Sequence, residues 1–258
     1  RGCSKVSAGC KNCYAEKVAA RFSGPGQPYE GTTRDGRWNG NIRIVDEKLI
    51  EPLRWKRPRR IFVNSMSDLF HDGVPFEYVA AVFGVMAACP QHTFQVLTKR
   101  PARAVEFLRW IHSDGALTDG TASGDCGDYA FRAGCHFDVA VKSLNRPWPL
   151  PNVHLGVSVE NQETADARIP LLLRCPAAVR FVSYEPALGP VDFSPFIGYN
   201  SPHDGETQRS GCLRDGQGRD SGDRPRGQDL EDCHSRRGQV DGWRPTEQVP
   251  AQASGEQH

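Results

Sequence analysis

The chain has 258 residues and carries 32 Lys plus Arg against 31 Asp plus Glu. That length suits one large domain or two small ones, and the balanced charge gives no global argument for binding nucleic acid or an anionic membrane. No run of eighteen apolar residues occurs, so no membrane-spanning helix is expected, and no segment reads as a signal peptide.

In chain order the first element is a cysteine loop. Cys3, Cys10 and Cys13 stand within thirteen residues, with six residues between the first pair and two between the second. Ala15, Val18, Ala19 and Phe22 follow at helical spacing, which predicts an amphipathic helix that begins where the loop ends. Thiolates are soft ligands that suit iron–sulfur clusters and zinc. Three of them leave one coordination position open for chemistry, and free N–H groups at the start of a helix favour an anionic cluster. Two rivals stay open: zinc with a fourth ligand such as His71, His92 or His136, and three thiols that bind no metal. The nine cysteines are odd in number and have no secretory signal, which argues against a disulfide framework and for a reducing cytoplasm. The loop lies almost at the first residue, Arg1, without a strand before it, so a fragment truncated at both ends is expected.

Residues 23–41 are rich in Gly, Pro and Arg and read as a loop. Arg54, Lys56, Arg57, Arg59 and Arg60 form a basic cluster that suits phosphate, although a solvated loop explains it as well. Residues 60–186 then alternate strand and helix. Residues 60–64 predict a strand, and Phe76, Val79, Ala80, Phe83 and Ala87 the helix after it. Residues 93–98 predict a second strand, with Pro101 in the first turn of the next helix. Residues 113–147, with Cys126 and Cys135, read as an insertion. Residues 153–159 predict a third strand, and Asn161 a cap for a helix that Pro170 should kink or end. Residues 178–183 predict a fourth strand, stopped by Pro186. Apolar strands alternating with helices mean an α/β fold with a parallel sheet, covered on both faces. A partial (β/α) barrel and an open doubly wound sheet both satisfy this pattern.

In parallel α/β folds ligands sit beyond the carboxyl ends of the strands. The four strands run into Asn64-Ser65-Met66-Ser67-Asp68, Thr98-Lys99-Arg100, Ser158-Val159-Glu160-Asn161 and Ser183-Tyr184-Glu185. Converging on one rim, these endings would form a polar pocket with Asp68, Lys99, Arg100, Glu160 and Glu185. Singly, each is as well explained by the polarity of loops. A hydrolytic metal site of Asp68, His71, Glu160 and Glu185 is also conceivable, but it gives the cysteine loop no role. From about Tyr199 to His258 the chain lacks Lys, Ile, Phe and Met and has one aromatic residue, Trp243. Burial there cannot offset an ordering entropy of roughly 1–2 kcal/mol per residue, and disorder is expected.

The runs Gly2–Glu16, Pro58–His71, Phe94–Pro101, Leu155–Asn161 and Glu185–Val191 resemble, in order, the phage-associated three-cysteine-motif family often labelled phage gene-product 37/68. The resemblance covers roughly residues 1–193. That family resembles in turn the radical S-adenosylmethionine enzymes, partial (β/α) barrels related to the TIM barrel. The resemblance implies that Cys3, Cys10 and Cys13 hold a 4Fe–4S cluster whose fourth iron binds S-adenosylmethionine. It also implies that Ser65, Asp68, Ser158, Glu160 and Asn161 contact this cofactor, and that Lys99, Arg100 and Glu185 face substrate. An electron donor, an unknown substrate and a partner protein encoded nearby are the implied associations. The alternative function is a zinc-stabilised, non-catalytic binding module for nucleic acid or a phage protein.

Overall fold

The computed structural model describes residues 1–113, 121–144 and 146–197. The polar stretch from Tyr199, for which disorder is expected, lies outside the described residues. A 3-10 turn at Ala8–Cys10 leads into α1 (Tyr14–Arg21). A two-stranded antiparallel hairpin, β1 (Thr33–Arg34) and β2 (Arg37–Trp38), lies within the segment read as loop. Two single-turn helices, α2 (Asp46–Leu49) and α3 (Glu51–Arg54), precede the main alternation. That alternation runs β3 (Arg60–Val63), α4 (Phe76–Ala88), β4 (Thr93–Thr98), α5 (Pro101–His112), α6 (Ala122–Arg132), α7 (Asp138–Ser143), β5 (Val153–Val159), α8 (Gln162–Leu173) and β6 (Val179–Tyr184).

Strands β3 to β6 form one parallel sheet in the order β3-β4-β5-β6. The spatial order is the chain order, with no reversal. Parallel crossovers are right-handed, so without a reversal every connecting helix lands on the same face. The contacts agree: α4 touches α5, and α5 touches α8. The helix-facing residues Phe94, Val96, Val153, Leu155, Val157 and Val159 are all buried. Among the described residues the opposite face is open, and Phe62 on it is 46% exposed. The expectation of cover on both faces is therefore corrected; the unreversed strand order supplies helices to one face only. The described strands do not close into a barrel.

One further difference has a physical cause. Pro170 does not end its helix at the predicted place; α8 continues to Leu173. Pro170 lies near the end of the helix, so it removes one hydrogen bond with few turns left to lose. The segment 113–147, read as an insertion, carries two helices. Its helices α6 and α7 pack on α4, which explains why α4 is buried nearly all round, from Val79 to Ala88 except Val82. The close approach requires Gly84, because a Cβ there would stand 2.1 Å from the Cys126 carbonyl oxygen. Cys126 and Cys135 belong to this packing as buried thiols.

Candidate functional site

The carboxyl ends of the four strands open into a cavity of ≈ 500 Å³. Cys3, Cys10 and Cys13 line one of its walls, and each is partly exposed. Ser65, Asp68, Lys99, Arg100, Ser158 and Glu185 line it too, together with the apolar Phe62, Leu97, Pro186 and Leu188. A single parallel bridge between Gly2 and Ser67 lays the start of the cysteine loop beside the end of β3. Tyr14, the first residue of α1, donates its hydroxyl to the Ser65 carbonyl at 2.7 Å and fixes the other end of the loop.

Two buried ion pairs hold the loop from below. Asp68 is almost completely enclosed and accepts four hydrogen bonds: Phe70 N–H (3.0 Å), Thr98 Oγ1 (2.7 Å), Lys99 N–H (3.0 Å) and Arg100 Nη1 (3.1 Å). Arg100 then reaches the loop, donating through Nη2 to the Ser4 carbonyl (3.0 Å) and Oγ (2.8 Å), with Nη1 3.9 Å from Cys3 Sγ. His71 completes this corner. Its Nδ1 accepts from Gly73 N–H at 3.0 Å, so the neutral ring carries its proton on Nε2, 2.8 Å from Ser4 Oγ. Burial, followed by the nearby Arg100, pushes the His71 imidazole below its ordinary value and keeps it neutral.

The second pair is Glu160 with Lys99. Glu160 has no exposed surface. It accepts from Ser7 Oγ (2.7 Å), Gly9 N–H (3.2 Å), Lys99 Nζ and Arg168 Nη1 (3.4 Å). Burial raises its carboxyl, but Lys99, Ser7 and Gly9 together outweigh burial and hold it below the usual glutamate range. The folded chain therefore binds fewer protons than the unfolded chain near this value. The Glu160 contribution to stability is present above the unfolded value of about 4.3 and is lost as pH falls through the folded value. The denaturant midpoint should thus drop as pH falls below about 4.3, and a Glu160→Gln variant should show a smaller drop.

The thiols divide into two groups. Burial pushes Cys89 and Cys175 up to about 11 and Cys126 higher still, so these three are inert core residues. Burial also raises Cys10, but backbone hydrogen bonds at Val6 and Ser7, the Lys99 ammonium and the Ser7 hydroxyl reverse this and leave it below an ordinary thiol. Cys3 stays raised, chiefly by burial and against the pull of Arg100. Among the described residues no three His, Cys, Asp or Glu side chains come close enough to grip one metal ion. A tetrahedral ion with bonds of ~2.3 Å needs sulfurs only ~3.8 Å apart. A cube, which itself fills the space between its ligands, takes a wider triangle of thiolates. The three thiols at the cavity are soft donors of the kind that iron–sulfur clusters and zinc take.

The expected site residues thus sort by position. Ser65, Ser158, Glu185 and the three cysteines present themselves to the cavity. Asp68, Lys99 and Arg100 line it but are engaged in ion pairs. Glu160 lies beneath the loop. The Asn161 side chain accepts from Thr164 N–H (3.0 Å) in a capping box at the start of α8, away from the cavity wall. Of the histidines considered as zinc ligands, His92 packs edge-on against Trp55 and His136 pairs with Asp138, neither at the cavity. The residues that sequence reading missed are Ser4, Ser7, Gly9 and Arg168. Arg168 left a trace: it falls on the buried stripe of α8 with Ala165, Ile169 and Leu172, where an unpaired charge would be costly.

A family model described as Protein of unknown function (DUF5131) matches residues 1–210. No curated protein and no solved structure matches the chain.

Proposed function

We propose, from the premise that this chain belongs to the DUF5131 family, that it is an iron–sulfur enzyme of the radical S-adenosylmethionine type, working in a phage or mobile-element context. Cys3, Cys10 and Cys13 would hold a 4Fe–4S cluster, and the cavity would take S-adenosylmethionine and an organic substrate. The observation that carries this reading is the placement of three half-buried thiols on one wall of a cavity. That cavity lies over the carboxyl ends of a parallel sheet whose strands follow chain order and whose inner face is open. Unreversed order with one open face is the geometry of an unclosed (β/α) barrel.

A cluster held by Cys3, Cys10 and Cys13 and reduced by an electron donor would supply the one electron needed for reductive cleavage of S-adenosylmethionine. The chain's residues have the supporting tasks. The Arg100 and Lys99 cations stand beside Cys3 and Cys10 and lower the cost of keeping them as thiolates. Ser65 and Ser158 offer polar groups on the wall, and Glu185 offers an exposed carboxylate at the mouth, suited to a cationic amine or sulfonium. Phe62, Leu97, Pro186 and Leu188 make the remaining wall apolar.

The reading is tested by incubating anaerobically reconstituted protein with dithionite and S-adenosylmethionine. Formation of 5′-deoxyadenosine, absent in a Cys13→Ala variant, is the expected result. Intact S-adenosylmethionine with a loaded cluster would remove the radical chemistry. Stoichiometric zinc without sulfide would instead assign a zinc-stabilised binding module.

A further inference from the structure

We propose that Glu160 is a positioning residue for the thiol loop, acting through Ser7 and Gly9 to set where Cys10 stands. The purpose of this latch rests on the reading of the loop as a metal-binding element; its contacts do not.

Glu160 terminates β5, 151 residues from Gly9 in the chain, and is completely enclosed. Two cations already offset its charge, Lys99 and Arg168. The two remaining donors both come from the cysteine loop: Ser7 Oγ at 2.7 Å and Gly9 N–H at 3.2 Å. These contacts are not required for neutrality; besides favouring the charged carboxylate they fix the position of the loop. Ser7 carries the constraint onward. Its carbonyl accepts from Cys10 N–H at 3.0 Å, and its Oγ lies 3.8 Å from Cys10 Sγ.

Gly9 shows how close the contact is. A Cβ on it would stand 2.4 Å from Glu160 Cδ and 2.5 Å from Oε1. The Gly9 backbone is outside the left-handed region, so nothing in its conformation demands glycine. The carboxylate demands it, since any side chain would push the loop off Glu160. Lys99 ties the latch to the end of β4, while the Arg100–Asp68 pair holds Ser4 and Cys3 separately. The loop is thus fastened at two points, and Glu160 governs the one nearer Cys10.

Amide hydrogen exchange, read by mass spectrometry on the whole chain without added metal, tests this. Glu160→Gln, Ser7→Ala and Gly9→Ala are each expected to speed exchange across Ser7–Cys10 on the order of tenfold. Exchange in β4 and in Val153–Val157 should stay as in the parent. The Ser7 variant leaves both cations paired with Glu160 and covers the case in which Glu160→Gln fails to fold. Unchanged loop exchange in the Ser7 and Gly9 variants would overturn the proposal, as would acceleration spread equally over the sheet. The readout needs no metal, so a chain that binds no iron leaves the latch standing, and a failed latch leaves the cluster reading standing. With metal present, the Ser7→Ala protein should retain cluster less firmly than the parent.

Discussion

Asp68→Ala is expected to destabilise the fold by about 3–5 kcal/mol, read as a fall in the denaturant midpoint. Asp68 accepts two backbone N–H groups, the Thr98 hydroxyl and the Arg100 guanidinium, and both members of the ion pair are nearly buried. Removing the carboxylate leaves a cation enclosed without its partner and strands three further donors. Asp68→Asn keeps the volume and an acceptor, so its cost should be smaller than that of alanine. Cys3 should become more reactive towards alkylation in both variants, because Arg100 then no longer has a fixed anchor from which to hold Ser4. A loss of less than about 1 kcal/mol in Asp68→Ala would mean that the pair is exposed to solvent and not part of the frame.

Cys10→Ala should abolish the brown iron–sulfur absorption of anaerobically purified protein and lower bound iron by at least about tenfold. Cys126→Ala should leave iron content at the parent level. The contrast follows from environment. Cys10 sits on the cavity wall with Lys99 and two backbone contacts favouring its thiolate. Cys126 is fully enclosed between helices, where burial keeps the thiol protonated and inert. Equal iron in both variants would separate the metal, if any, from this loop.

Much of the fold can be read along the chain because its signals are local. Residues 93–98 and 153–159 form strands where alternation and β-branching place them, and the helix after Asn161 begins at its cap. The cysteine loop and the strand-end residues also meet where the carboxyl-end rule puts them. What the chain hides is non-local. Nothing near Glu160 announces that it will be roofed by Gly9, or that Asp68 and Arg100, 32 residues apart, will neutralise each other. Both carboxylates read as candidate ligands in sequence, and in space each is also paired with a buried cation. The open inner face is a further case. Phe62 and Leu97 look like core by composition, and only the unreversed order of the strands leaves them facing a cavity. The helices α6 and α7 were masked by their Gly, Ser and Asp content, although Ala122, Cys126 and Ala130 mark a buried stripe at four-residue spacing.

Whether the three thiols of the loop hold an iron–sulfur cluster over the strand ends is decided by iron, zinc and acid-labile sulfide measured per chain after strictly anaerobic purification. About four iron and about four sulfide per chain are expected, with zinc near background. One zinc per chain without sulfide, or no metal at all in protein whose three thiols titrate freely, would rule the cluster out.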